Sequence, residues 1–167
     1  MFLDLHDCTF GLCDITTWEH NFFITPSGIQ YAFDAAGQLT SILDDTNKQV
    51  SYGYDDAGRM TSMTDTAGAV TAYAYNNGNR LTGITIPGNL TWTFTYNSAG
   101  MPAQYVLPNN TRTEYGYDTR HRLTSIVHRN LVDNAVLDSF AYTLDAVGNI
   151  TEIEQADGSR WQYTYGD

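Results

Sequence analysis

The side chains best able to do chemistry in this chain are carboxylates and amides set on a fixed spacing. Asp34, Asp55, Asn76, Asn97, Asp118 and Asp145 each stand three residues before Gly37, Gly58, Asn79, Gly100, His121 and Gly148 respectively. An acidic loop closed by glycine could hold a cation or poise a general base. Calcium loops, however, need D-x-D-x-D-G spacing or a nine-residue G-G-x-G-x-D period, and neither occurs. Asp55 and Asp56 are adjacent, so on an extended chain their carboxylates diverge. His6, His20, His121 and His128 are scattered, and no serine lies in a nucleophile-elbow sequence. No glycine run opens a phosphate-cradling helix. Cys8 and Cys13 make a lone C-x4-C without paired histidines, a poor metal site, and they fit a free or a paired state equally well. These residues point to no catalytic, metal or cofactor site.

Aspartate three residues before glycine has a plainer use. Its side-chain oxygen accepts hydrogen bonds from backbone N–H groups two residues on, while a fourth residue with positive φ completes a type I turn with a bulge. Glycine adopts that conformation without steric cost, and asparagine and histidine tolerate it better than most residues, which accommodates Asn79 and His121.

What such turns must join is legible between them. In TWTFTY (91–96), aromatics alternate strictly with threonine, and the same period-two alternation recurs in TAYAY (71–75) and RWQYTY (160–165). Period-two alternation of aromatic and β-branched residues marks a strand. The strand ends in a pair of ring positions: Tyr31 and Phe33, Tyr52 and Tyr54, Tyr73 and Tyr75, Phe94 and Tyr96, Tyr115 and Tyr117, Tyr142 and Leu144, Tyr163 and Tyr165. Taking the second member as position zero gives intervals of 21, 21, 21, 21, 27 and 21 by subtraction. A fixed period near twenty denotes an array of one supersecondary unit.

After each turn a return strand carries the R-L-T-S-I element, and a second turn closes the unit at Asn47, Gly68, Asn89, Asn110 and Gly158. The expected fold is all-β: tandem hairpins of about 21 residues in a curved antiparallel sheet. Residues 1–24 form a non-repeat N-terminal segment, a cap or a truncation junction, in which Trp18, Phe22 and Phe23 could pack on the first strand. The array occupies 25–167 and ends in an incomplete repeat. The one long interval predicts a longer hairpin at 127–142, projecting around Asp133, Asn134 and Ala135. The residue before position zero is always small (Ala32, Gly53, Ala74, Thr95, Gly116, Thr143, Thr164), so one face is bare and the aromatic face is expected to be buried.

A net charge of −11 disfavours nucleic acid and anionic membrane surfaces. The basic cluster of Arg112, Arg120, Arg122 and Arg129 reads as solvated surface. No stretch approaches the ~18 apolar residues of a membrane span, and the first residues carry acids where a signal peptide would be basic. Three N-x-T sequons, at Asn89, Asn109 and Asn149, matter only in a eukaryotic secretory setting.

The unit spelled YAFDAAGQLTSI (31–42), YGYDDAGRMTSM (52–63) and YGYDTRHRLTSI (115–126) resembles the YD repeat of the RHS family, over residues 25–167. Met101, Pro102, His121 and Leu144 depart from the pattern. The resemblance implies a ribbon of strands spiralling into a hollow shell, as in bacterial polymorphic toxins, insecticidal toxin complexes and the animal teneurins. In bacterial members the shell encloses a C-terminal toxic domain. About six and a half units, on the order of thirteen strands, would form an open segment of such a shell. The implied partners are the remainder of an RHS-type shell or an enclosed toxin domain, with self-association through open sheet edges, in a secreted or cell-surface protein larger than this chain.

The function expected from this is structural and non-enzymatic: part of a toxin-encapsulating or cell-surface wall. The alternative is a carbohydrate-binding module stacking glycans on exposed aromatics such as Trp92 and Trp161. The repeats also resemble choline- or glucan-binding units, but those carry a Gly-Trp pair and a Trp-Tyr-Tyr cluster per unit, which three Trp in the whole chain do not supply.

Overall fold

Strand and turn alternate from one end of the described chain to the other. The computed structural model describes residues 22–25 and 27–166, apart from the Phe23 side chain; Cys8, Cys13, His6, His20 and Trp18 lie outside them. Among the described residues there are fourteen strands and no helix.

The chain divides into two compact units, Met1–Tyr73 and Ala74–Asp167. In the first, β1 (Phe22–Ile24), β2 (Gln30–Phe33), β3 (Leu39–Leu43), β4 (Gln49–Tyr54), β5 (Met60–Thr64) and β6 (Val70–Tyr75) pair antiparallel in chain order. The last two residues of β6 fall beyond the division. In the second unit the order again follows the chain: β7 (Leu81–Ile86), β8 (Leu90–Tyr96), β9 (Pro102–Val106), β10 (Thr111–Tyr117), β11 (Leu123–Asn130), β12 (Val136–Leu144), β13 (Ile150–Gln155) and β14 (Arg160–Gln162). Within each unit, each hairpin pairs with the next, which is what short loops between two-periodic strands dictate.

The register slips at the same place in five repeats: between Ala32 and Phe33, Gly53 and Tyr54, Thr95 and Tyr96, Gly116 and Tyr117, and Thr143 and Leu144. This is the bulge that a type I turn ending in a left-handed residue demands of a hairpin.

The expectation of a buried aromatic face is corrected. Among the described residues no hydrophobic side chain is buried, and Thr113, 3% exposed, is the one residue in that class. Alternation does survive: in β8, Trp92, Phe94 and Tyr96 are half-buried while Thr91, Thr93 and Thr95 are exposed. Rings are covered sideways by the neighbouring strands, but within each unit no second layer lies on them. Periodicity reveals which face is apolar; it does not reveal whether anything covers that face.

The small residues before position zero also have a different cause. A Cβ on Gly53 would meet Ser62 Oγ at 2.5 Å, and one on Gly116 would collide with Ser125 Oγ. Gly53 pairs with Ser62 and Gly116 with Ser125, so the space is filled from across the ladder rather than left bare.

Candidate functional site

Among the described residues the feature that recurs in every repeat is the hairpin corner. At Asp55 the backbone supplies two bonds: Asp55 N–H donates to the Arg59 carbonyl (3.0 Å) and Gly58 N–H to the Asp55 carbonyl (2.9 Å). The side chain supplies two more, Oδ1 accepting from Ala57 N and Arg59 N at 3.0 Å each. The same four bonds recur at Asp34, Asn97, Asp118 and Asp145 within 2.8–3.3 Å. At Asn76 they involve Gly78, Asn79 and Arg80. The residue closing the turn has positive φ in every case: Gly37 79°, Gly58 78°, Asn79 58°, Gly100 81°, His121 65° and Gly148 107°. The opposite corners use the same conformation at Asn47, Gly68, Asn89, Asn110 and Gly158.

A carboxylate has a second oxygen, and the repeats use it differently. Arg59 Nε and Arg122 Nε each donate to Oδ2 of Asp55 and Asp118 at 2.7 Å, while Asn149 Nδ2 donates to Asp145 Oδ2 at 2.9 Å. The Arg122 backbone N–H, and then its side chain, hold the Asp118 carboxyl below the usual aspartate value, and Arg59 does the same for Asp55. These carboxylates are committed to the turn, and no cluster of ligating side chains suited to a metal exists among the described residues.

Two further devices join neighbouring repeats at several places. Residues at or beside the end of one turn reach the next turn: Gln38 Nε2 donates to the Gly58 carbonyl (3.0 Å), Arg122 Nη1 to the Asp145 carbonyl (2.8 Å) and Arg120 Nη1 to the Ala146 carbonyl (3.0 Å). Tyrosine hydroxyls at position zero reach backwards. Tyr54 donates to the Leu39 carbonyl, Tyr96 to Leu81 and Tyr165 to Ile150, at 2.8–2.9 Å and always fifteen residues back. The position-zero tyrosine is therefore a hydrogen-bonding strut as well as a packing group.

The basic cluster is not simply solvated. Arg122 and Arg120 serve the corner, and Arg112 and Arg129, paired across β10 and β11, share Glu114 at 3.1 and 2.9 Å. Arg112 Nε makes this charge contact without hydrogen-bond geometry. On the opposite face the buried Thr113 Oγ1 lies 2.8 Å from His128 Nδ1. β11 and β12 are the longest strands, and Asn134 turns their tip with φ of 59°. That tip does not stand free: Leu131 N donates to the Asn110 carbonyl (2.8 Å) and Arg112 Nη2 to Asn134 Oδ1 (3.0 Å).

The aromatics fall into two environments. Tyr31, Phe33, Tyr52, Tyr54, Tyr73, Tyr75, Phe94, Tyr96, Tyr115, Tyr117 and Tyr142 are half-buried between strands. Trp161, Tyr163 and Tyr165, on and just after β14, are 58, 40 and 55% exposed. Trp92 is half-buried opposite Ile84, and Trp161 lies opposite Ile153. Six strand spacings of ~4.8 Å, roughly 29 Å, separate the two tryptophans, so they form no common sugar platform.

Residues 33–70 match the RHS Repeat family model and residues 67–130 match the Teneurin YD-shell model. No curated protein matches the sequence. Among solved structures, the chain is similar to one in the Photorhabdus luminescens Tc holotoxin pore, at 24% identity and a TM-score of 0.62, covering 77% of this chain and 8% of that one. It is also similar to a chain of TcdB2-TccC3-Cdc42 (25% identity, TM-score 0.61, 74% and 7% covered) and of TcdB2-TccC3 (24%, 0.61, 78% and 8%). The likeness is one of fold, and the chain spans less than a tenth of those proteins.

Proposed function

Because the chain belongs to the RHS/YD-repeat family, we propose that it is a non-enzymatic segment of a shell wall whose work is enclosure. The observation that carries this is the aromatic face. Within each unit the hairpins form a single layer that leaves their rings half-buried, with no hydrophobic side chain buried among the described residues. A wall supplies such a face with something to enclose, whereas a free-standing domain would cover it with a second layer. The partners that fit are further shell repeats and an enclosed toxin domain, in a secreted or cell-surface protein. Among the described residues β14 has one hydrogen-bonded neighbour, β13, and its Trp161 is exposed. Such an edge templates another strand, so wall extension and self-association use the same backbone groups.

Sequencing the coding frame on both sides of this segment tests the proposal. In-frame YD units leading to an unrelated 3′ domain are expected. A frame holding this segment alone beside a wall anchor would overturn it.

A further inference from the structure

Arginine stands five residues after position zero in three repeats, and in one of the three its turn supplies no anion. Arg59 and Arg122 each bring Nε to 2.7 Å from the second oxygen of their own turn's aspartate, Asp55 or Asp118. At Arg80 the turn residue is Asn76, whose Oδ1 accepts from Gly78 N and Arg80 N at 2.9 and 3.1 Å. The other terminal atom of that side chain is an amide nitrogen, a donor that cannot receive a guanidinium. Among the described residues the Arg80 guanidinium makes no ion pair and no hydrogen bond, and the residue is exposed.

The side chain is held in place all the same. Its guanidinium carbon lies over the Tyr96 ring, 5.7 Å from the centroid, a cation–π contact. The guanidinium also fits against two glycines: a Cβ on Gly78 would stand 2.7 Å from Nη1, and one on Gly100 would stand 2.6 Å from Cζ. Arg80 thus reaches from its own corner to the next, and neither NNGNR (76–80) nor NSAGM (97–101) contains an acid. The outcome is a positioned positive charge without a counter-charge. The chain itself shows what such a group takes, because the arginines at the equivalent place in two other repeats each meet a carboxylate. A planar fork of N–H donors matches the two oxygens of that group. The net charge of −11 repels strongly acidic segments and a second copy of the chain alike. The incoming carboxylate must therefore stand alone on a neutral stretch. We propose that Arg80 docks a single aspartate or glutamate side chain carried by an otherwise neutral segment of a partner protein.

The test titrates the full chain with three end-capped peptides of equal length, neutral apart from one glutamate, one phosphoserine or, as the uncharged control, one glutamine. Salt at ~150 mM screens long-range repulsion, and the arginine Nε–H resonances are followed by NMR. The glutamate peptide is expected to shift Arg80 saturably and to leave Arg59 and Arg122, which have their own carboxylates, unmoved. Two variants use residue types that other repeats carry at the same places: Arg80→Gln, as at Gln38, and Asn76→Asp, as at Asp55. Circular dichroism confirms that both are folded. Asn76→Asp supplies the missing carboxylate from within, so both variants are expected to bind the glutamate peptide ~2- to 5-fold more weakly, the range of an exposed ion pair. Unchanged binding in either variant would overturn the proposal, as would equal shifts at all three arginines or equal binding of the glutamine peptide. Binding of the phosphoserine peptide without binding of the glutamate peptide would overturn it in favour of a phosphate site.

Discussion

The turns at Asn97 and Asp118 are successive repeats of one motif built from different residues. Both make the same backbone pair, Gly100 N to the Asn97 carbonyl and His121 N to the Asp118 carbonyl at 2.9 and 3.0 Å. Both use one side-chain oxygen on two N–H groups. They differ in the residues that supply these bonds. The first has an amide, a glycine and Met101; the second has a carboxylate, a histidine held at φ 65° and Arg122 bound to the spare oxygen. One acceptor oxygen and one left-handed residue suffice for the corner, and the remaining interactions are additions a given repeat makes or omits.

Removing the left-handed residue is the strongest way to break that equivalence. Gly100→Val places a β-branched side chain at φ 81°, costing at least ~1–2 kcal/mol, and its Cβ would collide with the Arg80 guanidinium. A comparable loss in chemical denaturation is expected for Gly58→Val, because the groups met at the two sites, the Arg80 guanidinium and Gln38 Nε2, are both ends of flexible side chains that can move aside. Ala57→Ser, in an exposed turn position, serves as the silent control. Equal effects of Gly58→Val and Ala57→Ser would refute the role given to the left-handed residue.

The opposite change at the fifth repeat should help. His121 pays part of the left-handed cost that Gly100 avoids, and its ring is exposed. His121→Gly is expected to gain up to ~1 kcal/mol, because relief of strain is partly offset by the greater freedom of glycine in the unfolded chain. A loss in melting temperature would show that the imidazole makes a contribution the turn geometry does not require.

Much of this was legible in sequence because it is local. A turn is written in four adjacent residues and a strand in alternation, so the positions of Asp118, His121, Asn97 and Gly100 in their corners follow from short-range rules. What was not legible joins residues of different repeats. The bond from Tyr96 Oη to the Leu81 carbonyl had one faint signal: position zero is tyrosine in five of seven repeats, where phenylalanine would pack as well. Arg120 and Arg122 looked like solvated charge because their acceptors, the carbonyls of Ala146 and Asp145, lie in the next repeat. Burial failed for a related reason: Phe94 and Tyr115 announce an apolar face, but coverage depends on what lies above it.

The smallest expected effect separates the two turns by pH. Asp118 is held below the usual carboxylate value by the Arg122 backbone N–H and then by the Arg122 side chain. Its folded-state pKa is thus depressed relative to the unfolded chain. Stabilisation from this group is fully present above the unfolded value near 3.8 and is lost as pH falls through the lower folded value. Asn97 has no such titration. Amide-exchange protection of Arg120 and Arg122 should therefore fall as the pH drops below that value, while that of Ala99 and Met101 stays level. Asp118→Asn should abolish the difference and keep the corner, because Oδ1 is retained and only the Arg122 partner is lost. If Asp118→Asn instead melts the hairpin at neutral pH, the charge and not the oxygen builds the turn, and the equivalence drawn between the two repeats is wrong.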